Sequence, residues 1–168
     1  MVWRFAVLAT VVTLLLPAAR ADAGTLDFDP PVAPTIGNFT AVTLTGTPQL
    51  TSLSIAPFTI IDDTATLAGW HVLLTIPDLV NGASTIAATE VTMDAPSVQA
   101  VAPATMTGVT GNAAAGGFAV GEKIVTASVG NGAGTYLISP RIVKLEVPAN
   151  AVVGTYTSAG SIAIVSGP

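Results

Sequence analysis

Beyond residue 23 the sequence is interrupted every few positions by glycine or proline, and threonine, valine and isoleucine dominate between the breaks. β-Branched side chains are stiff at χ1 and fit a pleated surface, so they favour strands over helices. Short runs bounded by turn residues predict strands at 40–44, 51–55, 58–61, 70–76, 85–93, 123–129, 135–139, 141–147, 155–158 and 161–165. Helix signals are scarce. Many short strands without helices imply an all-β fold, a sandwich or barrel of antiparallel sheets.

The breaks carry their own expectations. Gly130-Asn131-Gly132-Ala133-Gly134 sits between two strand-like runs, and Asn-Gly tolerates the positive φ that a tight hairpin needs. Pro148-Ala149-Asn150 closes the run at 141–147 before the chain returns through Gly154-Thr155-Tyr156. Residues 107–121 are rich in Gly and Ala, with almost no large side chain before Phe118. Such a segment has little apolar area to bury, which predicts a mobile surface loop. Asp29-Pro30-Pro31-Val32-Ala33-Pro34 reads as extended and polyproline-like. No internal repeat or domain boundary is visible.

Arg4, the apolar run at 5–16, Pro17 and Ala21-Asp22-Ala23 have the layout of a secretory signal peptide covering 1–23, followed by a single domain at 24–168. The apolar run has 12 residues, short of the roughly 20 that cross a bilayer as a helix. The expectation is a secreted chain with no membrane span after processing. There is no cysteine, so an exported domain of this kind must hold together by packing alone. A lipobox cysteine and a sortase-type sorting signal are also missing, so any surface attachment is expected to be non-covalent. Removing 1–23 takes Arg4, Arg20 and Asp22 from five basic and ten acidic residues, leaving three and nine and a net charge of −6. That balance repels phosphate backbones and offers nothing to an anionic membrane surface, so no nucleic acid partner is expected. An apolar content of 51% argues for a folded domain rather than a disordered one.

The most distinctive stretch is GWHVLLTIPD at 69–78, with the only tryptophan beyond residue 23 and the only histidine of the chain. Side chains alternate faces along a strand, so Trp70, Val72, Leu74 and Ile76 share one face and His71, Leu73 and Thr75 the other. Trp70 reads either as a core anchor or as an exposed aromatic platform for a sugar. A lone histidine without cysteine cannot build a zinc site of the usual kind, and no nucleophile motif surrounds it. His71 is therefore expected to be a half-exposed strand residue. Asp62-Asp63 lacks the ligand spacing of a calcium loop, and Asp78, Glu90, Asp94, Glu122 and Glu146 are scattered without an evident acid/base pair. No catalytic residue, metal or cofactor is expected. The candidate binding residues are Trp70, His71, Val72, Tyr136 and Tyr156. The two tyrosine rings can stack on sugars, or can serve as core or corner residues.

Two separated stretches, GTPQLTSLSIAPFTIIDDTATLAGWHVLLTIPDL at 46–79 and GTYLISPRIVKLEVPANAVVGTYTSAGSIAIVSGP at 134–168, resemble the two halves of a WxL-type domain. The first has a strand, an acidic glycine-bearing turn and then Gly-Trp-x-hydrophobic. The second has a VPA(N/D)A…GTYT hairpin. The chain is most similar to small secreted versions from actinobacterial Gram-positives. The sequence departs from the pattern twice: Trp-x-Leu reads Trp70-His71-Val72, and the second aromatic signature is replaced by Ser161-Ile162-Ala163-Ile164. The resemblance implies an antiparallel β-sandwich, immunoglobulin-like or Greek-key in type. It further implies a non-enzymatic protein held non-covalently on the cell wall of a Gram-positive bacterium. Peptidoglycan or other surface proteins would be the partners, and the role would lie in adhesion or surface complexes. The alternative is a structural subunit of a surface fibre or pilus-like assembly, in which a loose N-terminal arm at 26–34 adds a strand to a neighbour's sheet edge. For the leader, mass spectrometry of the secreted protein is expected to show Gly24 as the first residue. An intact Met1 in the membrane fraction would contradict cleavage.

Overall fold

The computed structural model describes residues 24–168; the expected signal peptide at 1–23 lies outside the described residues. The strands are β1 (Leu26–Asp29), β2 (Gln49–Ile55), β3 (Phe58–Asp62), β4 (Trp70–Thr75), β5 (Leu79–Asn81), β6 (Ser84–Ile86), β7 (Val91–Met93), β8 (Val98–Val101), β9 (Val109–Gly111), β10 (Ala114–Ala115), β11 (Glu122–Ala127), β12 (Gly134–Ile138), β13 (Arg141–Val147) and β14 (Ser161–Ser166). A single 3-10 turn, Ala88–Glu90, separates β6 from β7. Every strand pair among the described residues is antiparallel, as expected of the class.

Three four-stranded sheets run in the orders β1-β3-β12-β8, β14-β4-β11-β9 and β10-β7-β13-β2, and β5-β6 forms a separate hairpin. The first two sheets meet along both flanks, where β1 lies beside β14 and β8 beside β9. Across the space between them, the Trp70 indole of β4 meets the Tyr136 ring of β12 edge to face, with centroids 5.5 Å apart. The third sheet sends Leu53, Ile55, Val91, Met93, Val143 and Leu145 into the same apolar cluster, so all three sheets share one core. The alternation of β13, with Val143, Leu145 and Val147 buried and Ile142, Lys144 and Glu146 exposed, is the period of a strand with one wet face.

Several expected elements differ. The run at 85–93 is broken into β6, the 3-10 turn and β7. The Ala88 N–H donates to Asp78 Oδ1 at 2.8 Å, which bends the chain out of the β5-β6 hairpin and into the third sheet. The runs at 40–44 and 155–158 form no strand. The first is joined to β2 at its start, where the Thr40 N–H donates to the Ser52 carbonyl at 3.0 Å. The second makes one isolated bridge, between Thr157 and Val80. A strand needs a partner along its length, and among the described residues these two runs have none. The segment 107–121 is not a loop over the surface. It contains β9 and β10, and Phe118 is 0% exposed, its carbonyl accepting the Ile76 N–H at 2.9 Å. One phenylalanine and two short edge pairings outweigh the small residues around them. The first half of the arm at 26–34 is not loose either, since β1 pairs with β3 in the register Leu26↔Asp62 to Asp29↔Thr59, while 30–34 form no strand.

The Gly130-Asn131-Gly132 turn joins strands of different sheets. β11 pairs with β4 and β9, whereas β12 pairs with β3 and β8, so the turn is a crossover rather than a hairpin. It passes over the indole of Trp70, whose Nε1–H donates to the Gly132 carbonyl at 2.9 Å. Gly132 sits at φ +90, and a Cβ there would lie 2.6 Å from Trp70 Nε1, whereas Gly130, at φ +84, has nothing within 4 Å of its Cβ position. The two glycines separate backbone strain from packing. Gly130→Ala is expected to cost about 1 kcal/mol through its positive φ. Gly132→Ala should cost about 1–3 kcal/mol more because the indole must move. Trp70→Ala should cost on the order of 3–5 kcal/mol. Urea denaturation of the three variants checks the order, and equal losses at the two glycines would contradict this account of the crossover.

Candidate functional site

β4 is the central landmark of its sheet, hydrogen-bonded on one side to β14 and on the other to β11. Both neighbours bury it. Trp70, Val72 and Leu74 point into the core, and Trp70 is 0% exposed. The indole is therefore the core anchor and not a platform for a sugar, and Val72 offers nothing to a ligand either. Tyr136 is buried beside it. Its hydroxyl lies 3.0 Å from the Thr105 carbonyl and 3.2 Å from the Ala133 carbonyl, which use up its donor within the protein. Burial, and secondarily the carboxylate of Asp62, push the Tyr136 hydroxyl above its usual pKa of 10.0.

His71 departs from its expected half-exposed place. It is 8% exposed because the segment after β14 folds across it. The Gly167 N–H donates to the Gly69 carbonyl at 2.9 Å, and His71 Nδ1 lies 2.6 Å from the Gly167 carbonyl. A carbonyl only accepts, so Nδ1 carries the proton in that contact. Several of the acids are likewise absorbed by structure. Asp62 is buried and accepts the Thr64 N–H at 3.1 Å and the Thr64 hydroxyl at 2.6 Å. Asp94 and Lys144 form an exposed ion pair at 2.9 Å, and that hydrogen bond and charge hold the Asp94 carboxyl below its usual value. Among the described residues no three His, Cys, Asp or Glu side chains come together as a metal-binding group.

The one sequence-chosen residue that faces an opening is Tyr156. It is half-buried on the wall of a cleft of about 820 Å³. The cleft runs between segments 36–44 and 151–160, the second bent at Val153-Gly154, over a floor that includes Leu53 of β2, Leu145 and Val147 of β13, and Ile86 of β6. Tyr156 is fixed there by its hydroxyl, which accepts the Val152 N–H at 3.1 Å. Phe39, Val42 and Leu44 of the opposite wall pack partly against the core, while Val153 is 84% exposed at the mouth. No carboxylate, imidazole, ammonium or guanidinium group lines the cleft; its polar groups are threonine, serine and tyrosine hydroxyls, the Asn38 amide and the main chain.

Sequence reasoning missed this cleft because it looked for aromatic and titratable groups, and the lining is mostly aliphatic and hydroxylic. A usable signal was present in the strand-like run at 40–44 and in the adjacent Val152-Val153 before Gly154. Comparison of the chain with family models, with curated proteins and with solved structures returns no match.

The Tyr136 geometry has a consequence for alkaline stability. Its pKa is raised in the folded state, so its contribution is present below the unfolded value and is lost as pH rises through the folded one. Wild-type unfolding free energy is expected to fall above about pH 10. Tyr136→Phe should cost about 1–2 kcal/mol at neutral pH, for the lost buried hydrogen bond, and should show a shallower alkaline fall. Parallel alkaline curves for the two proteins would contradict the burial of this hydroxyl.

Proposed function

We propose that this protein is an exported, non-catalytic module of a bacterial cell surface that works by binding in the cleft between 36–44 and 151–160. In this reading the three sheets form a β-sandwich of immunoglobulin-like or Greek-key type, in line with the resemblance to WxL-type domains. The observation that carries the reading is the cleft itself. Ligand sites typically occupy ~300–1,000 Å³, with apolar linings and a few placed polar groups, and this one fits that description at about 820 Å³. Chemistry at neutral pH needs a group that can exchange a proton or attack. The lining carries only hydroxyls and an amide in that capacity, with no base beside them, and so favours binding over turnover.

Its role belongs to adhesion or to surface complexes, and its partner is either another surface protein or the wall. The wall reading has a specific observation behind it: Tyr156 lines the same cleft as the hydroxyl-bearing residues Thr40, Thr43, Thr155 and Ser158. Aromatic rings and hydroxyl groups together suit peptidoglycan glycan. Because the lining is uncharged, binding should depend only weakly on salt.

Sedimentation with purified peptidoglycan, at low and high salt, tests the wall reading. On the wall reading, the wild-type protein sediments at both. Val153→Lys places a charge on an already exposed residue at the mouth and should weaken sedimentation at least about tenfold while leaving the melting temperature unchanged. Wild-type protein that remains in the supernatant throughout would remove peptidoglycan as the ligand. Sedimentation unaffected by Val153→Lys would put the contact outside the cleft.

A further inference from the structure

The two strand-like runs of the sequence that form no strand, 40–44 and 155–158, lie on the two walls of the cleft. Along the first, Val42 and Leu44 are half-buried while Ala41 and Thr43 are exposed, which is the side-chain period of a strand. Yet the main chain of 41–44 and of 153–156 makes no main-chain hydrogen bond among the described residues. The first wall is tied down at its start, and the second at both ends, where the Ala151 N–H donates to the Pro148 carbonyl at 3.0 Å. Thr40 is held by the Ser52 carbonyl and by the Thr51 hydroxyl, which donates to the Thr40 carbonyl. Thr157 exchanges two hydrogen bonds of 2.9 Å with Val80.

Unpaired N–H and C=O groups on an extended segment are a template for another strand. We propose that the cleft accepts an extended segment of a partner polypeptide, which pairs main chain to main chain with one or both walls. This rests on the reading of the cleft as the binding feature and names its occupant. Alternate side chains of the incoming strand would pack against the half-buried Phe39, Val42 and Leu44, above the buried Leu53, Leu145 and Val147, and the others would face water. The fitting segment has about five or six residues, a usual strand length, with Val, Leu or Ile alternating with Thr or Ser. It carries no charge toward the floor, because the lining offers no counter-ion and a charge there would be desolvated unpaired. An acyl chain would cover the floor but leave the wall amides without partners. A glycan would reach the hydroxyls but leave the apolar floor unfilled.

Hydrogen–deuterium exchange of the purified protein tests the pairing directly. The probes are end-capped, uncharged peptides of about six to eight residues, with Val, Leu or Ile alternating with Thr. Copies of them N-methylated at alternate amides keep the side chains and lose the backbone donors. In the free protein the amides of 41–44 and 153–156 should exchange rapidly. At least one unmodified peptide should protect one or both sets, and its methylated copy should bind at least about tenfold more weakly, as expected from losing two or more hydrogen bonds. Equal binding of both copies, or protection only at another sheet edge, would overturn the proposal. So would concentration-dependent protection of the same amides without peptide, accompanied by a dimer in size-exclusion light scattering, since the occupant would then be a second copy. If no peptide protects the walls but purified peptidoglycan sediments the protein in a Val153→Lys-sensitive way, strand addition fails while the cleft remains the binding feature. If neither ligand engages, both readings fall.

Discussion

The fold depends on the indole of Trp70. It lies in β4 between two hydrogen-bonded neighbours, closes edge to face on Tyr136 of the opposite sheet, and donates its one proton to the carbonyl of Gly132 in the crossover between those sheets. Two glycines allow the close approaches around it, Gly69 between β4 and the backbone after β11, and Gly132 over the indole itself. A side chain at Gly69 would meet the Ala127 carbonyl at 2.5 Å, and one at Gly132 would meet the indole nitrogen at 2.6 Å. A fully buried tryptophan removes on the order of 150–250 Å² from water, several kcal/mol at about 25 cal/mol per Å². In a chain with no cysteine, no covalent link shares that load. The sheets are held to each other by packing, and this contact is the one in which packing, a hydrogen bond and backbone geometry coincide.

What could be read from the sequence follows the difference between local and non-local information. Runs such as 51–55, 70–76 and 141–147 combine β-branched residues with a clean alternation, and each has a partner strand in the fold. The run at 40–44 looks the same in sequence, but whether it becomes a strand depends on a neighbour far along the chain or outside it. The reverse happens at 107–121, where Ala114 and Ala115 form β10 only because β7 is there to receive them. His71 shows the same limit. Its alternation points outward correctly, but the tail after β14 returns to cover it, through a contact that spans 96 positions in the sequence.

The candidate site was harder to read than the fold for a related reason. Aromatic residues attract attention as sugar platforms, and they are also the side chains with most to gain from burial. Trp70 and Tyr136 went to the core, and each satisfied its polar atom there, which is the usual condition for burying such rings. Tyr156 differs because its neighbours are exposed and its hydroxyl is engaged by the nearby Val152 N–H rather than by a distant carbonyl. Nothing in the residue type separates the two tyrosines; their positions relative to the sheets do.

The cleft is a continuation of the core rather than a separate construction. Leu53, Leu145 and Val147, which form part of its floor, belong to the same apolar cluster as Trp70. They are screened from water by the two walls and not by a paired strand, while Val152 and Val153 stay exposed at the mouth. Monomeric proteins seldom leave aliphatic side chains and unpaired extended backbone together at the edge of a core, because each is a point of association. Burying more apolar surface there and pairing the wall amides would both be favourable, and one extended strand could do both at once. The feature that leaves the third sheet least finished is thus the one that best accounts for how the molecule would meet another chain.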